Sequence, residues 1–325
     1  MNLDPIMEAV RRAATLCHEV QHHFLTENTK AGVEPVTIAD YGAQALICEA
    51  ISRAYPDDAV VAEEAGQQFL TIVDDTQRAI VIDLIGKVLG RTVTEAEVVG
   101  WLDFNTGITA PRTWVIDPID GTKGFLAMRH FAIAVGVLES GSITAGVMGC
   151  PGYPGYAGGA LMYAQDGKTY RAPMAGGEAH QVFASKITEA AQVRILESVE
   201  KSHASQDRME KVRLASGLGA SQLDRIDSQE KYARIAGGDG ELYLRLPRLN
   251  SENRHMVWDH AAGAALVYAA GGSVTDIDGS PLDFTHGRLL AKNQGMIVSN
   301  GVLHEQILAG VVEVLKQEAA ESAEG

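Results

Sequence analysis

The chain has 325 residues and a formal charge of −15, from 27 Lys+Arg against 42 Asp+Glu. That balance excludes a protein that coats a nucleic acid polymer, because displacing phosphate counterions takes a basic face, and it argues against docking on an anionic membrane. With 46% hydrophobic and 21% charged residues, the composition suits a globular protein with a substantial core, and the length predicts two domains at roughly 150 residues each.

An anionic small molecule remains a fitting partner, provided that Lys, Arg, helix N-termini or a metal meet its charge locally. Cys17, Cys48 and Cys150 are too scattered for a disulfide framework or a paired-cysteine zinc site. Reduced thiols in a cytoplasmic protein are expected. No basic stretch precedes an apolar run at the N-terminus, so no signal peptide is expected. No apolar run approaches the ~18 residues that a membrane span needs.

In chain order, Asp4-Pro5 reads as an N-cap followed by Pro at the first helical position. Ile6, Val10, Ala13, Cys17, Val20 and Phe24 then recur at helical spacing and predict a long first helix. Val36–Ala39 predicts a short extended run, with a second helix from about Asp40 that turns Ala43, Leu46, Ile47, Ala50 and Ile51 inward. Ala59–Ala62 reads as a buried strand ending at Glu63-Glu64. The stretch 70–103 reads as mostly helical, with Gly90 as a stop. Trp114–Ile116 is a strand that runs into Asp117-Pro118. Two hairpins are expected, one from 131–138 and 143–148, the other from 161–164 and 168–170.

Ala172 to His180, with Pro173, Gly176 and Gly177, is the expected domain junction, dividing the chain into residues 1–172 and 173–325. Beyond it strands and helices alternate: strands at 193–196, 222–226 and 242–246, helices at 205–216, 229–236 and 259–270. Gly271-Gly272 closes the last of these, and an acidic helix ends the chain. The pattern predicts a mixed α+β / α/β fold in layers.

The run from Trp114 to Phe125 carries the strongest chemical signal. Asp117 and Asp120 leave a buried strand beside Gly121 and Thr122, where two carboxylates and a backbone carbonyl suit a hard cation such as Mg²⁺. Gly121 permits close approach of a ligand, and the N–H groups of Gly121 and Thr122 could cradle an anion. Taken alone, the spacing most often marks a capped turn. Glu63-Glu64, Asp259 and Asp40 also stand at the ends of core elements. Each alone is ordinary, as an N-cap worth about 1 kcal/mol or a solvated strand end. Gathered in one cleft without a cation, they would repel and hold raised pKa values. Two or more divalent metals resolve that conflict.

Together Glu63-Glu64, Asp117-Pro-Ile-Asp120-Gly-Thr122 and Trp258-Asp259-His-Ala-Ala262 resemble the inositol monophosphatase superfamily of lithium-sensitive, magnesium-dependent phosphatases. Within it, Val36–Gln44, Gly121–Phe125, Glu200–Ser205, Asp227–Tyr232 and Tyr243–Pro247 resemble the 3′(2′),5′-bisphosphate nucleotidase branch. The resemblance covers about residues 5 to 310. It implies a layered αβαβα sandwich. It implies Glu63, Asp117, the Ile119 carbonyl, Asp120 and Asp259 as ligands of two or three Mg²⁺ ions. Most would lie in the N-terminal domain, and Asp259 in the C-terminal one. Asp40 and Thr122 would orient and deprotonate the attacking water, with Gly121 and Thr122 at the phosphate.

The resemblance assigns nucleotide binding to His203, Ser205, Ser228, Lys231 and Arg245. The implied substrate is adenosine 3′,5′-bisphosphate, giving AMP and phosphate, with its sulfated relative PAPS as a second candidate. One rival is an inositol phosphate or sugar bisphosphate phosphatase of the same superfamily. Another is a non-catalytic nucleotide sensor, which would be expected to have lost part of the acidic set. The implied partner is a small molecule, with no nucleic acid polymer and no membrane; oligomeric state is open.

Two segments stand apart from the resemblance. Residues 86–112 show no distinctive match, and Gly152–Gly159 reads either as part of the substrate mouth or as a long hairpin connection. Finally, His18-Glu19-Val20-Gln21-His22 matches the zinc-protease pattern in form. Val10, Cys17, Val20 and Phe24 define the buried stripe, which puts His18 and His22 toward solvent.

Overall fold

The computed structural model describes residues 1–26, 34–199, 206–247 and 255–324. Two helices, α1 (Asp4–Val20) and α2 (Pro35–Ala54), open the chain. The first buries Ile6, Val10, Ala13, Cys17 and Val20 on one stripe, as the spacing predicts. Its cap is Leu3, without a side-chain bond, and Asp4 is already helical. Asp4 therefore favours the helix through its charge at the positive end of the dipole, not as a cap.

The expected extended run at Val36–Ala39 is wrong. Pro35 starts α2, and Ile38 and Ala39 are buried within it. Burial of this apolar first turn overrides the β-branched preference of Val36-Thr37-Ile38. Asp40 thus sits inside the helix and does not head it.

The first sheet has seven strands in sequence order: β1 (Ala59–Ala62), β2 (Arg112–Asp120), β3 (Ala132–Glu139), β4 (Ser142–Cys150), β5 (Ala160–Gln165), β6 (Lys168–Pro173) and β7 (His180–Val182). Only β1 and β2 run parallel. Helices α3 (Gly66–Thr71), α4 (Asp75–Leu89) and α5 (Glu95–Leu102) make the crossover between them. Gly90 ends α4 in the left-handed region at φ 68°. Next come α6 (Thr122–Leu126), α7 (Gln206–Ala215) and α8 (Glu230–Ala236).

The second sheet has the order β11-β12-β10-β8-β9. Its strands are β8 (Arg194–Glu197), β9 (Gln222–Arg225), β10 (Leu242–Arg245), β11 (Ser273–Thr275) and β12 (Met296–Ser299). The strands β7, β11 and β12 escaped sequence reading. Helices α9 (Ala261–Ala269) and α10 (His304–Glu324) complete the set.

Strand alternation explains the layers. Trp114, Ile116, Ile133 and Val135 face α1 and α2, against which α4 packs. Their neighbours Val115, Ala132 and Ala134 face α8 and α9, which also cover Tyr243, Met296 and Val298 of the second sheet. Leu242, Leu244 and Ile297 point the other way, onto α7 and α10. The order is helix, sheet, helix, sheet, helix, the expected αβαβα sandwich.

Two glycines set the close contact between the first sheet and α9. A Cβ on Gly136 would lie 2.6 Å from Ala261 Cβ, and one on Gly146 3.0 Å from the Ala262 carbonyl. Small residues on both sides let α9 seat directly on the first sheet, which carries Asp259, two residues ahead of the helix, toward the ends of β1 and β2. The Gly152–Gly159 segment is a hairpin connection between β4 and β5.

Candidate active site

The acidic wall begins with a fault in β2. Residues three apart on a regular strand face opposite sides. Here Asp117 pairs with Ala134 and Asp120 with Ala132, three residues on β2 against two on β3. This bulge takes in Pro118 and Ile119 and returns Asp120 to the face of Asp117. Ile119 is buried within it. Gly121 follows at φ 92°, and a Cβ there would lie 2.8 Å from Ser228 Cβ. Phe125, fully buried and edge-on to Phe131 at 5.2 Å, anchors the short helix α6.

Glu63, just past β1, meets this wall. Desolvation and repulsion from Glu64, Asp259 and Asp120 push its carboxyl up to about 7. Asp259 rises to about 6 through desolvation and the charge of Asp120, against the pull of Arg245. Asp117 is driven well up by burial, then by Asp120, Glu63, Asp259 and Asp40. Asp40 is driven up by burial and by Glu63 and Glu64. All five predicted acids therefore feel one another.

Gln229 knits part of this wall. Its backbone N–H donates to Asp120, and its side-chain amide donates to Asp117 Oδ2 at 3.4 Å and the Trp258 carbonyl at 3.0 Å. Among the described residues no three carboxylate, imidazole or thiol groups converge as a ready-made metal cage. The fit for a cation rests on donor chemistry. The ligands offered are oxygen alone, which suits a hard ion, and buried Asp117 Oδ1 has no hydrogen-bond partner.

The opposite wall is cationic. Lys231 is 3% exposed and donates to the Ile226 carbonyl at 2.9 Å, with its ammonium 5.0 Å from the Tyr243 ring centre. Burial pulls its pKa down to about 8, against the charges of Asp120 and Asp227. Arg245 lies 3.5 Å from Asp259 Oδ2. Ser228 holds φ 76°, a strained value for a residue other than glycine.

A cavity of about 430 Å³ lies between the walls, lined by Asp120, Gly121, Thr122 and Asp259 on one side and Ser228, Lys231 and Arg245 on the other. Glu63, Asp117 and Asp40 are not in its lining; Glu63 and Asp117 feel the charges of Asp120 and Asp259, and Asp40 feels Glu63. Thr122 is exposed at the start of α6, and among the described residues no hydrogen bond joins it to Asp40. His203 and Ser205 lie outside the described residues.

Sequence reading missed several groups here. Gln229 stood inside a quoted motif but drew no role. Asp227 and Lys123 also line the cavity. Arg288 comes from a distant loop, donates to the Glu63 carbonyl at 3.2 Å and covers the Trp258 ring at 4.5 Å; nothing in its local sequence signals this. The zinc-protease pattern does not join the site. His18 and His22 are exposed, as expected, with ring centres 6.4 Å apart.

This fold, with its acid-lined cleft between two sheets, matches a known family. The chain belongs to the inositol monophosphatase family, which it matches over residues 3–316. It is 34% identical to the 3′(2′),5′-bisphosphate nucleotidase of Emericella nidulans, covering 95% of this chain and 96% of that protein. It is 33% identical to the protein of the same name from Oryza sativa, covering 96% and 93%. Among solved structures, the IMPase of Thermotoga maritima superposes with a TM-score of 0.61 at 21% identity, covering 97% of this chain and 98% of that one.

Proposed function

We propose that the chain is a Mg²⁺-dependent phosphomonoesterase that hydrolyses adenosine 3′,5′-bisphosphate to AMP and phosphate, with PAPS as a second substrate. The observation that carries this reading is one cavity with carboxylates on one wall and Lys231 and Arg245 on the other. The relatives named as bisphosphate nucleotidases support the choice of substrate.

In this reading Glu63, Asp117, Asp120, Asp259 and the Ile119 carbonyl hold two or three Mg²⁺ ions. The bound ions supply charge for the phosphate oxygens and acidify a water. Asp40, whose carboxylate is made more basic by burial and by the charges of Glu63 and Glu64, accepts the proton of the attacking water. Thr122 orients that water through its hydroxyl. Gly121 and Thr122 offer backbone N–H groups to the scissile phosphate. Lys231 and Arg245 pair with the other phosphate, with Ser228 as a hydroxyl donor, and His203 and Ser205 belong to the same proposed set. Attack is in line, without a phosphoenzyme.

The division of labour follows residues 1–172 for most metal ligands and 173–325 for Asp259 and the nucleotide. A cytoplasmic setting belongs to the same reading, supported by three buried free cysteines. Among the described residues no helix is long and apolar enough to cross a membrane.

A phosphate-release panel tests the proposal, with adenosine 3′,5′-bisphosphate, PAPS, inositol 1-phosphate, inositol 1,4-bisphosphate and fructose 1,6-bisphosphate in Mg²⁺, with and without Li⁺. Preference for the nucleotide supports it. Preference for an inositol or sugar phosphate overturns the substrate, and binding without phosphate release identifies a sensor.

A further inference from the structure

Glu230 is fully buried. Its Oε1 accepts from Arg234 Nε at 3.0 Å. Its Oε2 lies 2.9 Å from His130 Nδ1, and because a carboxylate oxygen can only accept, the bond calls for the tautomer with a proton on Nδ1. His130 sits on the segment that leads from α6 to β3, so this bond spans the cavity's two walls from behind.

Three further contacts hold His130 in place. A Cβ on Gly124 of α6 would lie 2.0 Å from its carbonyl oxygen, and one on Gly121 3.4 Å away. The His130 backbone is thus pressed against the loop that faces the phosphate. On the other side, a Cβ on Gly152 would lie 2.6 Å from His130 Nδ1. Only a glycine in the β4–β5 connection leaves the ring room to reach Glu230. The preceding residue repeats the tie, since Arg129 pairs with Asp227 at 3.2 Å. Consecutive residues after α6 therefore bind Asp227 and Glu230, which bracket Ser228 and lie beside Lys231.

We propose that His130 and Glu230 form a positioning clamp that fixes the spacing between the phosphate loop Gly121–Phe125 and the Ser228–Lys231 wall. The clamp thereby selects a substrate bearing two phosphates at that spacing. Both residues act through others and touch no reacting atom. A buried carboxylate is costly unless paired, so losing His130 frees Glu230 to draw on Arg234 alone and lets the two walls drift. A misplacement of about 1 Å costs up to about a hundredfold in rate. The inference rests on the proposed cavity being the phosphatase site.

The test compares phosphate release from adenosine 3′,5′-bisphosphate and 3′-AMP by the wild type, His130→Ala, His130→Gln, Glu230→Gln and Gly152→Ala, with thermal unfolding of each. His130→Ala should lower kcat/KM for the bisphosphate about thirtyfold and for 3′-AMP about threefold, so that preference drops about tenfold. His130→Gln, whose amide can donate to Glu230, should hold the preference within about threefold. Gly152→Ala should mimic His130→Ala by pushing the ring away, which keeps the test open if His130→Ala fails to fold. An unchanged preference in either variant overturns the clamp. So does an equal loss on both substrates that tracks the unfolding midpoint. If the wild type prefers another phosphomonoester, the nucleotide reading fails separately. The variants are then read on that ester, where a loss of kcat/KM rescued by Gln supports the clamp and unchanged kinetics overturn it.

Discussion

The wall formed by β1, β2 and Asp259 carries carboxylates, whereas the wall formed by α8 and β10 carries Lys231 and Arg245, and the two hold their charge differently. Each cation already has a partner: the Ile226 carbonyl and Tyr243 ring for Lys231, Asp259 for Arg245. The acids instead have raised proton affinity, first through burial and then through one another's charge. One wall is complete within the protein, and the other is chemically suited to an added cation. An acidic protein can thus receive a polyanion if, as proposed, this cluster of negative charge seats a metal.

Removing one carboxylate charge breaks that comparison most severely. Asp120 lines the cavity, accepts from Gln229 and raises the carboxyls of Glu63, Asp117 and Asp259. Asp120→Asn keeps the shape and the acceptor but removes the charge. Its kcat/KM for phosphate release should fall about a thousandfold, comparable to losing a principal electrostatic element of a transition state. Activity near wild type would remove the acidic wall from the mechanism.

The cationic wall should yield a smaller effect that is selective for substrate. Lys231→Met should raise KM for the bisphosphate about thirtyfold, the scale of a lost charge-assisted contact, and leave 3′-AMP nearly unchanged. Because burial holds Lys231 near 8, raising pH through that value removes its charge. Wild-type KM for the bisphosphate should climb above about pH 8, the value in the free enzyme, and Lys231→Arg should flatten the rise. Equal losses on both substrates would show that Lys231 serves the fold alone.

The walls also differ in how legible they were. Asp117, Asp120 and Asp259 stood out because their types and spacing are unusual at the ends of apolar runs. What the string could not show is the bulge that turns Asp117 and Asp120 to one side, because it arises from pairing with β3. The layers were legible from alternation, as Trp114, Val115 and Ile116 illustrate. Val36–Ala39 misled because β-branched residues favour strands until burial in a helix outweighs propensity. Arg288 and the His130–Glu230 bond join residues far apart in sequence, and no local pattern encodes such contacts.

Metal removal gives a weaker readout, in stability. Glu63 at about 7 and Asp259 at about 6 stand above the ordinary carboxylate range near 4. Below about pH 4 the folded and unfolded chains both keep these protons. Between there and about pH 7 the unfolded chain loses them first, so the folded state binds more. The stabilisation from these raised groups is therefore lost as pH rises. In EDTA the unfolding midpoint should drop from pH 4.5 to 7.5, and Glu63→Gln should flatten the slope. If these acids hold Mg²⁺ as proposed, the ion should oppose the drop by binding their ionised form in the folded state. A midpoint that rises with pH in EDTA would contradict this electrostatic account.

The smallest effect belongs to His18, whose local pattern matches a metalloprotease. A helix can bring His18 and His22 to one face, but a catalytic zinc also needs a third protein ligand and a cleft. Both rings are exposed, and among the described residues no group of three potential ligands forms around them. The helix instead commits Val10, Cys17 and Val20 to the core. After His18, buried Gln21 donates to the Phe125 carbonyl of α6 at 2.9 Å, so this end of α1 reaches the phosphate loop through packing and not through its imidazoles. His18→Ala should leave phosphate release unchanged and stability within about 0.5 kcal/mol. Gln21→Ala should cost more in both, since it leaves a buried carbonyl without its donor. The reverse order would transfer the functional weight of α1 to its histidines.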